Sequence, residues 1–149
     1  MATASTSLPP SPAPLKPLRG VRVLSLALNL PGPAALMRLR AMGATCIKAE
    51  PPAPKSLPAG TPGDPMGQYN RAAYAALHAG VKVITVDLKT EKGQAALHKA
   101  LARTDVLLTS FRPSALTKLG LGWKALHKRH PALSLVTIVG AAGARAEEP

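Results

Sequence analysis

Val21-Arg22-Val23-Leu24-Ser25-Leu26-Ala27, followed after Leu28 and Asn29 by Leu30-Pro31-Gly32-Pro33, is the stretch that decides the fold. Its first half is rich in β-branched residues and almost continuously apolar, the pattern of a strand buried on both faces. Its second half is a turn whose proline suits the first turn of a helix, where the missing amide hydrogen would have had no partner. The helix is predicted to run to Met42, with Ala35, Leu36, Leu39 and Met42 along one face, and Gly43 is well placed to stop it. A strand that feeds a helix in this way is the opening half of a parallel βαβ unit.

The rest of the chain repeats the theme. Thr45-Cys46-Ile47-Lys48-Ala49 reads as a second short strand. Residues 51–65 hold six prolines and two glycines, so they form a loop. A short helix is predicted over 68–77, and Lys82-Val83-Ile84-Thr85-Val86-Asp87-Leu88 is a third strand. Thr90 has the character of an N-cap, with Glu91 in the first turn of a helix to Arg103. Asp105-Val106-Leu107-Leu108-Thr109 is a fourth strand, two short helical stretches cover 114–119 and 122–130, and residues 133–139 form a fifth strand. Strands and helices alternating at this spacing predict an α/β fold, a Rossmann-like parallel sheet flanked by helices. Ligands of such sheets sit beyond the carboxyl ends of the strands, which singles out the loops after Ala27, Ala49, Leu88 and Thr109.

The flanks differ in character. Residues 1–17, rich in Ser, Ala and Pro, are expected to be a disordered leader, with the domain proper at 18–140. Residues 141–149 read as a truncated tail, so the sheet is expected to be incomplete at its C-terminal end.

Bulk composition narrows the partners. Nineteen Lys and Arg against seven Asp and Glu give a net charge of +12, which favours an anionic partner. Nucleic acid, an acidic membrane surface and a phosphorylated cofactor share that property, and charge does not choose among them. The single cysteine, Cys46, excludes an internal disulfide, lies in an apolar run as a buried thiol would, and leaves no metal-ligand cluster. A cytoplasmic setting is compatible with this cysteine usage. No apolar run approaches the roughly 20 residues of a membrane span.

Local motifs for catalysis are absent. His78, His98, His127 and His130 fall on predicted helices or their ends without triad partners, and read as solvated helix residues. Asp105 fits a turn or cap, and Asp87 fits either a local hydrogen bond or a ligand contact. The dinucleotide fingerprint G-x-G-x-x-G is missing, since Gly32 stands alone in its turn. Lys89, after the third strand, is placed to meet a phosphate, and Phe111-Arg112-Pro113 offers a ring and a guanidinium at the same edge. Lys118 follows one to two helical turns later. Spacing alone leaves these residues open between phosphate contacts and solvated surface charge.

Five blocks in order give the sequence a family likeness. Pro17-Leu18-Arg19-Gly20-Val21-Arg22-Val23-Leu24, Leu30-Pro31-Gly32-Pro33-Ala34, Met42-Gly43-Ala44 with Ile47-Lys48-Ala49-Glu50-Pro51-Pro52, Ile84-Thr85-Val86-Asp87-Leu88-Lys89, and Ala102-Arg103-Thr104-Asp105-Val106-Leu107 leading into Ser110-Phe111-Arg112-Pro113 all resemble class III CoA-transferases of the CaiB/BaiF type. That group includes the α-methylacyl-CoA racemases, and the likeness spans about residues 17–140, its amino-terminal part. The resemblance implies a domain that holds the adenosine and phosphate end of CoA or acyl-CoA. Val86, Lys89, Ser110, Phe111, Arg112 and Lys118 stand at the matching cofactor positions.

The resemblance further implies that the complete protein is a homodimer acting on acyl-CoA. Its catalytic groups, an aspartate in the transferases and a histidine with an aspartate in the racemases, lie beyond the turn after the fifth strand. No residue here is assigned a catalytic role, and the chain alone is expected to be inactive. The sequence departs from the family at Pro51-Pro52 and at His78-Ala79-Gly80-Val81-Lys82, where basic residues are usual, and at Ser114, where glycine is usual. A non-catalytic basic module for nucleic acid or another polyanion is the alternative; few aromatics and dispersed basic residues speak against nucleic acid.

Overall fold

Strands β1 (Arg22–Ser25), β2 (Thr45–Glu50), β3 (Lys82–Thr85), β4 (Val106–Thr109) and β5 (Ser134–Thr137) form one sheet in the order β3-β2-β1-β4-β5. Every pairing is parallel, with Leu24 opposite both Ile47 and Leu107, and Leu107 opposite Leu135. The protein is described here by a computed structural model over residues 15–148. Most of the expected leader, residues 1–14, lies outside the described residues. At Lys16 the chain already turns, its carbonyl accepting from Arg19 N–H at 3.1 Å.

Alternation along the strands divides the core into two layers. Leu24, Leu26, Ala49, Val86 and Leu107 pack on one face against Leu97 and Leu101 of α4 (Glu91–Leu101), Leu116 of α5 (Pro113–Lys118) and Leu126 of α6 (Trp123–Arg129). Val23, Cys46 and Leu108 pack on the other against Leu36 of α1 (Pro31–Ala41), with Ala35 and Leu39 beside it. Helices α2 (Pro65–Tyr69) and α3 (Arg71–Leu77) sit on the α1 side, α3 in contact with α1. Among the described residues no helix is long and apolar enough to cross a membrane.

Local chemistry adjusts several predicted boundaries. The helix expected over 68–77 is split, because Asn70 leaves helical geometry (φ −146°, ψ 82°) and its side chain caps α3 by accepting from Ala73 N–H at 2.9 Å. The third strand stops at Thr85 rather than Leu88. Val86 N–H still reaches the Glu50 carbonyl at 2.8 Å, but the Asp87 carboxylate then accepts from Lys89 N–H at 3.0 Å and turns the chain. Beyond β5 the chain makes a short 3₁₀ turn (Gly143–Arg145), and Glu147 accepts from both the amide and the hydroxyl of Ser114 at 2.7 Å.

Candidate functional site

The chain runs outward in one direction through β1, β2 and β3, then outward in the other through β4 and β5, so β1 and β4 flank the switch point. Both strands end in a hydroxyl-backed turn. Ser25 Oγ accepts from Ala27 N–H at 3.1 Å, and Thr109 Oγ1 accepts from Phe111 N–H at 3.1 Å. The two departing chains remain tied, since Leu28 N–H donates to Ser110 Oγ at 3.3 Å. Helix α1 starts hard against the end of β1. A Cβ at Gly32 would lie 2.3 Å from the Ala27 Cβ, so glycine alone permits that approach.

Two adjoining clefts open at the carboxyl edge. The first, about 300 Å³, is a mostly apolar slot walled by Leu26, Leu28, Val86, Phe111 and Leu119, with Lys89 at its rim. The second, about 630 Å³, is open and basic, bordered by Lys89, Gln94, His98, Lys118 and Arg129. Leu88, Lys89 and Leu119 belong to both and form the ridge between them. The Gln94 amide fixes one wall by donating to the Leu88 carbonyl at 2.8 Å and to the Leu119 carbonyl at 3.0 Å.

The sequence-selected residues therefore fall into two groups. Val86, Lys89, Phe111 and Lys118 surround this joined pair of clefts, Val86 being buried in the slot wall and Lys89 and Lys118 exposed. Ser110 and Arg112 border a shallower cleft with Ile138, Val139 and Gly140. Ser110 is occupied with the Leu28 amide, and Arg112 is exposed at the start of α5.

Sequence reasoning missed the most elaborate polar feature. Cys46, Lys48 and Glu50 occupy alternate positions along β2 and share one face, the α1–α3 side. There the Lys48 ammonium, fully buried, donates to Asp64 Oδ2 and to His78 Nε2 (3.0 Å) and lies 3.7 Å from Glu50 Oε2. Glu50 also accepts from Tyr74 Oη–H at 3.1 Å and from Gly63 N–H at 3.0 Å. Asp64 Oδ1 accepts from Asn29 N–H at 3.0 Å and Met66 N–H at 2.9 Å. The available signal was a lysine and a glutamate inside a strand that has neighbours on both sides.

This cluster corrects the expectation that the histidines are solvated. His78 is buried, and its Nδ1–H donates to the Tyr74 carbonyl at 2.6 Å, leaving Nε2 to accept from Lys48 in a neutral ring. Burial first, and the Lys48 charge after it, hold its pKa below the ordinary histidine value. Burial and then the Glu50 carboxylate push the Tyr74 phenol up. His98 and His130 also pair, Nδ1 to Nε2 at 3.1 Å, and of the four only His127 is exposed, its ring stacked on Trp123.

A five-stranded parallel sheet flanked by helices, with an apolar slot across the carboxyl ends of its strands and a basic cleft beside it, defines a Rossmann-like α/β fold. The chain belongs to CoA-transferase family III, which its residues 18–149 match. It is 37% identical over 137 residues to succinyl-CoA–D-citramalate CoA-transferase of Chloroflexus aurantiacus, covering 87% of this chain and 32% of that protein. Human succinyl-CoA:glutarate CoA-transferase is 32% identical over 126 residues, covering 85% and 28% respectively. The crystal structure of hypothetical protein Rv3272 from Mycobacterium tuberculosis matches with a TM-score of 0.77 at 34% identity, over 91% of this chain and 36% of that one. The chain thus spans about a third of the length of the relatives it matches.

Proposed function

We propose that this chain forms the CoA-binding part of a class III CoA-transferase, with Val86, Lys89, Ser110, Phe111, Arg112 and Lys118 grouped around the nucleotide end of CoA. The observation that carries the reading is the ridge at Lys89, which joins an apolar slot to a basic cleft. A nucleotide thioester needs both environments. A ring system gains from apolar walls and the Phe111 face, while phosphates gain from ammonium groups at a water-exposed rim. Arg112 and Ser110 stand next door, where a guanidinium and a hydroxyl suit the remaining phosphate oxygens.

In the complete protein the chemistry is CoA transfer. The thioester of an acyl-CoA donor breaks and its acyl group leaves as a carboxylate, taking the oxygen that the acceptor carboxylate gives up as a new thioester forms between the acceptor and the same CoA. The transferase names of the relatives favour this over α-proton racemisation. The same reading carries a homodimer and a cytoplasmic setting for the complete protein. Calorimetric titration of the chain with free CoA at moderate salt tests it. Saturable binding that weakens about tenfold or more in Lys89→Ala is expected, a loss equal to roughly 1.4 kcal/mol. A folded chain that binds single-stranded nucleic acid but not CoA sinks the reading and favours a polyanion module.

A further inference from the structure

We propose that Lys48 and Asp64 are positioning residues for this crevice: the buried ammonium orients the Asp64 carboxylate, which holds the turn after β1 against the switch point. The inference rests on the CoA-binding reading above. Both side chains have no exposure to solvent, so neither can touch a ligand in the crevice. What they touch is backbone. Lys48 engages Asp64 Oδ2, which leaves Oδ1 for the amides of Asn29 and Met66 at 3.0 and 2.9 Å.

Asn29 is the one described non-glycine residue with positive φ (60°), at the point where the chain leaves β1 for α1. Its neighbour Leu28 is pinned from the other side by Ser110 Oγ at 3.3 Å, and the Leu28 side chain lines the apolar slot. The turn is therefore held between Asp64 on one side and the β4 exit on the other. The same ammonium lies beside Glu50, whose Oε1 accepts from Gly63 N–H at 3.0 Å. Gly63 lies so close to the Pro51 carbonyl oxygen that a Cβ there would stand 1.6 Å from it. Glu50 and Pro51 also line the slot. One buried cation thus governs two of the loops that border it.

Packing alone does not call for this arrangement. Apolar residues can replace a buried ion pair without loss of stability, and Leu36 and Cys46 already fill the same layer. An apolar pair cannot accept loop amides at a fixed angle. Nor can an amide side chain serve: a carboxylate accepts on both oxygens at once, whereas asparagine presents a donor at one end.

The test is CoA titration of the wild-type chain, Asp64→Asn and a packing control, Leu126→Ala, with amide hydrogen exchange read at Asn29. In Asp64→Asn the Asn29 amide is expected to lose protection and CoA to bind about tenfold more weakly. Leu126→Ala, whose side chain lines neither cleft, is expected to lower the melting temperature and leave affinity within twofold. Should Asp64→Asn fail to fold, Lys48→Met/Asp64→Ala reads the same contact with the buried charges of the pair removed. Affinity retained in a folded variant that has lost Asn29 protection overturns the inference alone, as does an equal loss in Leu126→Ala. A wild-type chain that binds no CoA overturns the cofactor reading, and this inference with it.

Discussion

Arg22 grips Asp105 with three hydrogen bonds: the guanidinium meets the two carboxylate oxygens at 3.1 and 2.9 Å, and the Arg22 amide adds a third at 2.8 Å. The two residues stand where β1 and β4 begin, at the edge opposite the crevice. The Arg22 side-chain bond, then its amide, hold the Asp105 carboxyl down to about 2, against an ordinary value near 3.9. A depressed carboxylate gives stability that is present above the unfolded value and lost as pH falls toward the folded one. NMR titration is expected to find Asp105 half-protonated near pH 2. In Arg22→Met its pKa should rise toward the ordinary range, and acid unfolding should lose its component between about pH 4 and pH 2.

The histidines act in a higher window. His78, His98 and His130 are all held below the ordinary value, in each case chiefly by burial. The unfolded chain therefore takes up protons first as pH falls, so their contribution to stability is full above about 6.5 and declines below it. Thermal melts at pH 7.5 and pH 5.5 are expected to show a lower midpoint at the acid value. A midpoint that does not move with pH counts against the buried neutral His78.

Leu107 has no exposed surface at the centre of β4, between β1 and β5. Leu107→Ala is expected to cost about 2–5 kcal/mol through lost transfer energy and the cavity left behind. Urea unfolding should show a lower midpoint with an unchanged slope, because the surface exposed on unfolding stays nearly the same.

Thr90 caps α4, its Oγ1 accepting from Gly93 N–H at 3.0 Å beside the basic cleft. Thr90→Ala is expected to destabilise the chain by about 1 kcal/mol, and Thr90→Ser to retain most of that stability. Chemical denaturation of the two variants side by side measures the difference.

Among the candidate residues around the joined clefts, Lys118 lines the basic cleft and not the apolar slot. On the CoA reading, Lys118→Ala weakens binding in low salt, and the gap from wild type narrows as salt rises and screens the exposed charge. Titrations at two ionic strengths check this; a loss independent of salt points to packing instead of charge.

The sequence by itself determined the alternation of strands and helices, because that depends on local periodicity and on residues that cap or break elements. Proline at the start of α1, the Thr90 cap, the Asp87 turn and the apolar run of β4 act within a few residues of themselves. The family blocks were also legible, being contiguous, and they marked the loops that border the crevice. The sheet order, and with it the switch point between β1 and β4, came only from tertiary structure. So did the separation of Ser110 and Arg112 from the joined clefts around Lys89. The buried cluster was the least legible part, because Lys48 meets Asp64 across 16 positions and His78 across 30. Those residues look like ordinary surface charge when read locally. Only the folding of the 51–64 loop and α3 over β2 removes water from around Lys48, and desolvation is what forces it to find those partners.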